Sequence, residues 1–257
     1  MSTSRLGSDQ EEDHYLSVEG TNVVPTDSLN VTLNNLTDVV TTAGMGCIYG
    51  DAGLGKTLAV NQALRALAPD CTIRLQFRSR SRTRDIRHLL FDALEIDGTP
   101  ATKPIVLDHL LKRVLSERFR VLVCDEAQWM LPECFEYWRY LWDDPCTELA
   151  LVFVGGGDCY QKLRSESVLS SRIRIWQQFH RMTGDQVLKS IPEYHPLWAN
   201  VDPDDILFAD SHACNGNFRA WAKLTAHAVI ALSKSERATL DRQFLARLVS
   251  RIGGRGA

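Results

Sequence analysis

No apolar run in this chain reaches membrane-spanning length, and its opening residues (MSTSRLGSDQEEDHYL) lack the apolar stretch of a secretory leader. A cytoplasmic protein without a membrane partner is the expectation. Cysteines do not pair: seven are scattered singly, with no C-x-x-C and no Cys/His spacing of a zinc site. Buried free thiols at Cys47, Cys71 and Cys124 are expected, consistent with a reducing compartment. Neither sign of charge dominates. Twenty-nine Lys and Arg face 32 Asp and Glu, a net charge of −3. Composition therefore announces no nucleic-acid partner, and any basic surface must be local. No internal repeat is visible. The 257 residues, 44% of them hydrophobic, suffice for a core domain and a smaller second one.

What is there begins with Gly50-Asp51-Ala52-Gly53-Leu54-Gly55-Lys56-Thr57. This run fits the phosphate-binding pattern G-x-x-x-x-G-K-[ST]. An apolar run, Met45–Tyr49, precedes it and reads as a buried strand. The segment Thr57–Leu67 follows with helical periodicity. Strand, glycine loop and helix in that order supply the context the motif needs. Such a loop turns backbone N–H groups toward phosphates, and the helix start adds partial positive charge. Lys56 would reach the β- and γ-phosphates of ATP, and Thr57 would offer its hydroxyl to Mg²⁺.

A second apolar run, Arg120–Cys124, ends in Asp125 and Glu126. A parallel strand buried on both faces reads as continuous apolar sequence, and ligands gather at its C-terminal end. Asp125 suits a Walker B role, holding Mg²⁺. Glu126 suits a general base acting on the attacking water.

Residues 1–22 are polar and acidic and are expected to be disordered. Thr26–Thr42 reads as a helical lead-in, with Thr32, Asn34 and Asn35 placed where an adenine base is expected. Further strands are expected at Cys71–Phe77, Leu149–Val154 and Ile173–Phe179. Helices are expected at Arg84–Leu94, Ile105–Ser116 and from Pro132 through Trp142, the last with Phe135, Trp138 and Leu141 as an inward stripe. From Gly184 onward only helices are expected: Asp185–Ile191, Pro203–His212, Phe218–Leu232 and Glu236–Ile252. This pattern predicts a parallel α/β core over 23–182 and a helical lid over 183–257.

Four stretches together resemble the AAA+ ATPases, in particular the small ATP-binding regulators of DNA transposition (the TniB/TnsC/MuB group). They are GDAGLGKT, VLVCDEAQ, VGGGDCYQKLRSESVLSSRI and CNGNFRAWAKL. The resemblance spans roughly residues 23–235. It implies a five-stranded parallel sheet in the order 5-1-4-3-2. It implies ATP with Mg²⁺, catalytic roles for Glu126 and Lys56, and a homo-oligomeric ring or filament. Ser171-Arg172-Ile173 resembles the family's element whose arginine reaches the γ-phosphate of a neighbouring subunit. The residues leave open that Arg172 pairs with a local acid, with Arg174 a weaker finger. Gly216-Asn217-Phe218-Arg219 resembles the sensor-2 element, with Arg219 on the nucleotide; a capped helix start is the alternative. The chain departs from the family at the sensor-1 position. Gly156 and Gly157 stand where a polar side chain is expected, which implies poorer water positioning and slow turnover.

One local bias remains. Arg74, Arg78, Arg80, Arg82, Arg84 and Arg87 crowd a short window, joined by Ser, Thr and His88. Arginine with Ser/Thr is the usual donor set for phosphate oxygens. Arg78, Arg80, Arg82, Arg84 and the more distant Lys103 are the candidate contacts to double-stranded DNA, sequence-independent because no base-reading motif accompanies them. A solvated loop is the alternative. The resemblance implies a transposase among the partners. A helicase-loader-like ATPase, or a nucleotide-switched scaffold without DNA, are the competing functions.

Overall fold

Continuous apolar runs bury well only in a sheet covered on both faces. The computed structural model, which describes residues 18–96, 103–234 and 240–253, shows that sheet. Its strands are β1 (Met45–Tyr49), β2 (Thr72–Gln76), β3 (Arg120–Asp125), β4 (Leu149–Gly155) and β5 (Ile173–Gln178). They pair in parallel in the order β2-β3-β4-β1-β5, the expected order read from the other edge. β3 and β4 are buried at every position, whereas the edge strands β2 and β5 mix buried and exposed residues. Tyr49 pairs with Gly155 and Asp125 with Val154, so the C-terminal ends of β1, β3 and β4 lie level.

The described residues fall into two compact units. One holds 31–52 and 59–179; the other holds 18–30, 53–58 and 180–253. In the chain, α1 (Asp27–Thr41) precedes β1, and α2 (Lys56–Leu67) follows the glycine loop. α3 (Thr83–Ala93) and α4 (Pro104–Leu115) separate β2 from β3. α5 (Pro132–Trp142) starts with proline at its first turn, where the missing N–H costs nothing. Its aromatic stripe is core: Phe135, Trp138 and Leu141 are buried, and Trp138 meets Phe77 edge-on at 6.3 Å. The sequence reading left two helices out, α6 (Gly157–Ser165) and α7 (Ser167–Ser170). Gly155 ends β4, Gly156 is the N-cap of α6, and Gly157 is its first residue.

The second unit is helical where the chain passes Gly184. α8 (Gly184–Tyr194) opens on a capping box made by Thr183 and Gln186. α9 (Pro203–Ala209) is shorter than expected, because residues 210–214 continue as a π-helical turn. There Asp210 accepts the Trp221 indole N–H at 3.0 Å and the Gly216 N–H at 2.8 Å. α10 (Phe218–Ser233) and α11 (Arg242–Arg251) complete it; residues 236–239 of the expected last helix lie outside the described residues. Of the segment expected to be disordered, residues 1–17 also lie outside them. Residues 18–22 are bonded instead: Asn22 N–H donates to the Tyr194 carbonyl at 2.8 Å, and the His195 ring lies 2.9 Å from the Glu19 carbonyl. Among the described residues no helix is long and apolar enough to cross a membrane. All seven cysteines are unbridged, five of them buried.

The core of the helical unit is organised by two indoles. Trp198 and Trp221 meet edge-on, 5.1 Å apart at 88°. The Trp198 N–H donates to the Thr225 hydroxyl at 2.9 Å, and that hydroxyl donates to the Trp221 carbonyl at 2.8 Å. Thr225→Val keeps the shape but strands a buried indole N–H. We expect a loss of about 1–3 kcal/mol, read as a lower urea midpoint, with Thr225→Ser much milder.

Candidate nucleotide site

The glycine loop turns where side chains do not fit. Gly50 sits at φ +145°, and a Cβ there would stand 2.5 Å from the Phe179 carbonyl oxygen. Gly53 sits at φ +83°, where a Cβ would stand 2.5 Å from Asn217 Oδ1 and 2.7 Å from Arg219 Cβ. The motif leaves Gly53 unspecified; the fold of the helical unit requires it. Arg219 N–H donates to the Gly53 carbonyl at 3.0 Å, so the first turn of α10 is bonded to the loop. Asn217 caps that turn, its Oδ1 accepting Ala220 N–H at 3.1 Å. The capped helix start is the arrangement this segment adopts. Lys56 and Thr57 open α2, with Lys56 buried. Asp51 and Ala52 are the exposed part of the loop.

In the same unit a shallow cleft is lined by Val24, Pro25, Leu54, Met182 and Phe218, with His180, Gln186 and Lys189 as polar neighbours. Leu54 brings the loop to this wall. Thr32 is buried and accepts Gln177 Nε2–H at 2.9 Å, Asn35 donates to Gln177 Oε1 at 3.0 Å, and Asn34 is exposed. Thr32 and Asn35 are thus engaged with Gln177 of β5, and residues 24–28 line the cleft.

In the sheet unit, Asp125 ends β3 with its carboxylate buried. It pairs with Arg74 of β2, and its Oδ1 accepts Glu126 N–H at 2.9 Å. Arg74 therefore leaves the basic run and faces the sheet end. Glu126 adopts a left-handed backbone, φ 57° and ψ 39°, ahead of a short 3₁₀ turn, Ala127–Trp129. That conformation costs a non-glycine residue of order 1 kcal/mol and persists only when neighbours hold it. Gln128 is the holder. Its amide N–H donates to the Glu126 carboxylate, and its Oε1 accepts Gly156 N–H at 2.9 Å. Lys162 from α6 donates to the Gln128 carbonyl. A Cβ on Gly155 would stand 2.5 Å from Gln128 Oε1. Gly155 thus makes room for Gln128, and Gly156 offers it a backbone N–H. Sequence reasoning assigned Gln128 no role; the run Asp125-Glu126-Ala127-Gln128 was the available signal.

Residues 39–163 match the family described as "AAA domain". The chain is 26% identical over 145 residues to General secretion pathway protein A of Aeromonas hydrophila, covering 53% of this chain and 26% of that protein. It thus spans about a quarter of that relative's length. Among solved structures, Cdc6p of Pyrobaculum aerophilum is 16% identical with a TM-score of 0.73, covering 92% of this chain and 70% of that one. The Aeropyrum pernix ORC1 protein, solved in complex with DNA, is 18% identical with a TM-score of 0.68, covering 90% and 66%. The ORC2 protein of the same organism, solved with ADPNP and ADP, is 14% identical with a TM-score of 0.68, covering 90% and 70%. At these identities the structural likeness establishes the shared fold.

The matched stretch holds the whole basic run, and the structure sorts it. Arg87 forks onto Asp108 at 2.7 and 3.0 Å, and the Tyr137 hydroxyl donates to the same carboxylate at 2.6 Å. Arg87 is therefore structural. Arg78, Arg80, Arg82 and Arg84 are exposed, as is Lys103 at the start of α4; residues 97–102 before it lie outside the described residues. Beyond the matched stretch, Arg172 forks onto Asp143 with both contacts at 2.8 Å and donates to the Val168 carbonyl at 2.6 Å. Arg172, with help from Arg139, holds the Asp143 carboxyl below its ordinary range. The local-acid alternative is what Arg172 adopts within one chain.

Gly53→Ala tests how tightly the loop depends on α10. The added methyl forces a left-handed alanine against Asn217 and Arg219. We expect at least about a tenfold loss of nucleotide affinity with helical content unchanged. Titration with a fluorescent ATP analogue, beside circular dichroism, checks it.

Proposed function

We propose that this chain is an ATP-hydrolysing, largely sequence-independent DNA-binding protein that regulates DNA transposition. In this reading ATP drives head-to-tail assembly on target DNA, and the assembly recruits or stimulates a transposase. Head-to-tail contacts build rings or open filaments. The observation that carries the nucleotide part is the glycine loop, whose turns at Gly50 and Gly53 admit no side chain and whose carbonyl is bonded to Arg219.

The donor set fits ATP with Mg²⁺. Residues 50–57 offer backbone N–H groups and the Lys56 ammonium to phosphates. The Thr57 hydroxyl and Asp125 carboxylate are hard oxygen ligands of the kind Mg²⁺ takes. When bound, Mg²⁺–ATP supplies a phosphoanhydride bond to hydrolyse. Glu126 accepts the proton of the attacking water, with Gln128 fixing the direction of its carboxylate. Arg219 steadies the loop in the same chain. Arg172 serves a neighbouring subunit once released from Asp143. Exposed Arg78, Arg80, Arg82, Arg84 and Lys103 take DNA phosphates. The shared fold with a protein solved on DNA supports that surface. The transposition assignment rests on the four resembling segments. The secretion-pathway relative favours a second reading, a nucleotide-switched ATPase without DNA. DNA-stimulated ATPase activity separates the two.

Glu126→Gln should retain ATP binding while slowing phosphate release roughly a hundredfold or more. Wild-type turnover in this variant would remove Glu126 from the base role. Joint replacement of Arg80, Arg82 and Arg84 by Ala should weaken binding to unrelated duplexes alike. The slope of log affinity against log salt should become shallower by about 0.9 per lost phosphate contact. ATP affinity should not change. An unaltered slope would place DNA elsewhere on the protein and advance the reading without DNA.

A further inference from the structure

The basic turn is tied to the segment that follows Glu126. Ser81 N–H donates to the Trp129 carbonyl at 3.1 Å, and Leu131 N–H returns to the Ser81 carbonyl at 3.0 Å. The Cys134 thiol donates to the same carbonyl at 3.1 Å; burial pushes that thiol up to about 12, so it stays a donor. Ser81 is buried, and its hydroxyl donates to the Arg78 carbonyl at 2.7 Å. Arg80 is held at φ 63°. This ladder fixes the backbone and leaves Arg78, Arg80 and Arg82 exposed. Beside them stands Trp129, 45% exposed, whereas Trp138, Trp198 and Trp221 are wholly buried.

We propose that Trp129 and the turn from Arg78 to Arg82 form one contact surface for nucleic acid with unpaired bases. The arginines take phosphates, and the indole stacks on a base. The inference deepens the DNA reading above and rests on it. A duplex hides its base faces, so a surface that touched only duplex phosphates would gain little from an exposed indole. An unpaired base offers its π-face to any aromatic platform, whatever the sequence. The surface also adjoins the catalytic segment along the chain. Trp129 N–H donates to the Glu126 carbonyl at 2.9 Å, closing the turn that carries Gln128. Occupancy at Trp129 therefore bears on how Glu126 is held.

The test compares oligothymidine with a blunt duplex of equal length, by fluorescence anisotropy, using the full chain. Trp129→Ala should weaken oligothymidine binding about tenfold and duplex binding less than about twofold, while Trp129→Phe keeps most of the affinity. Folding is checked by circular dichroism on both variants. Equal weakening on the two ligands, or none on either, overturns the proposal. So does an altered sedimentation coefficient with unchanged nucleic-acid affinity, which would make Trp129 a protein contact. A wild-type protein that binds neither ligand overturns the DNA reading itself. A wild-type protein that binds both, with Trp129→Ala unaffected, overturns the stacking surface alone.

Discussion

Two neighbouring carboxylates, Asp125 and Glu126, sit at the end of a strand with no exposed residue, and each needs its own partner. A buried charge left unpaired costs several kcal/mol or more, on the order that would unfold a domain. The structure gives them different partners. Arg74 on the adjacent strand takes Asp125. The left-handed backbone at Glu126 turns the second acid out of line, and Gln128 takes it. Much of the surrounding sequence follows from this division. Gly155 must be small for Gln128 to enter, and Gly156 must present its N–H. Lys162 on α6 satisfies the Gln128 carbonyl.

The same division changes the meaning of the glycines after β4. Read as a missing polar side chain, they suggested a weakened site. With Gln128 in the gap, a side-chain amide from the 3₁₀ turn occupies the space, bonded to both Glu126 and Gly156. An amide can be both donor and acceptor, so one residue meets a carboxylate and a backbone N–H together. A shorter residue at position 128 could not reach both.

What was legible in the sequence was what is encoded locally. The strands showed as apolar runs because β3 and β4 are buried on both faces. α5 showed through its proline and its three-residue aromatic spacing. The glycine loop showed as a motif. What stayed hidden depends on partners far along the chain. Arg74 and Asp125 are 51 residues apart, Arg87 and Asp108 are 21, and Arg172 and Asp143 are 29. Within the window of the basic run Arg74 and Arg87 look like the other arginines; only the folded sheet and helices sort them. α6 was hidden for another reason. Its N-cap, Gly156, has no side chain to mark a helix start.

The pairing of Arg172 with Asp143 bears on the proposed assembly through its strength rather than its presence. Both side chains are about a quarter exposed, 28% each, so water screens the pair. Ion pairs of this kind contribute about 0–1 kcal/mol. The fork also shares Asp143 with Arg139, which keeps that carboxylate compensated if Arg172 leaves. Releasing Arg172 therefore strands no buried charge. A phosphate group in a water-poor subunit interface would attract the guanidinium more strongly than a screened carboxylate does. A single chain in which Arg172 rests on Asp143 is then compatible with an assembly in which it does not, and the difference is small enough for nucleotide and neighbour to decide.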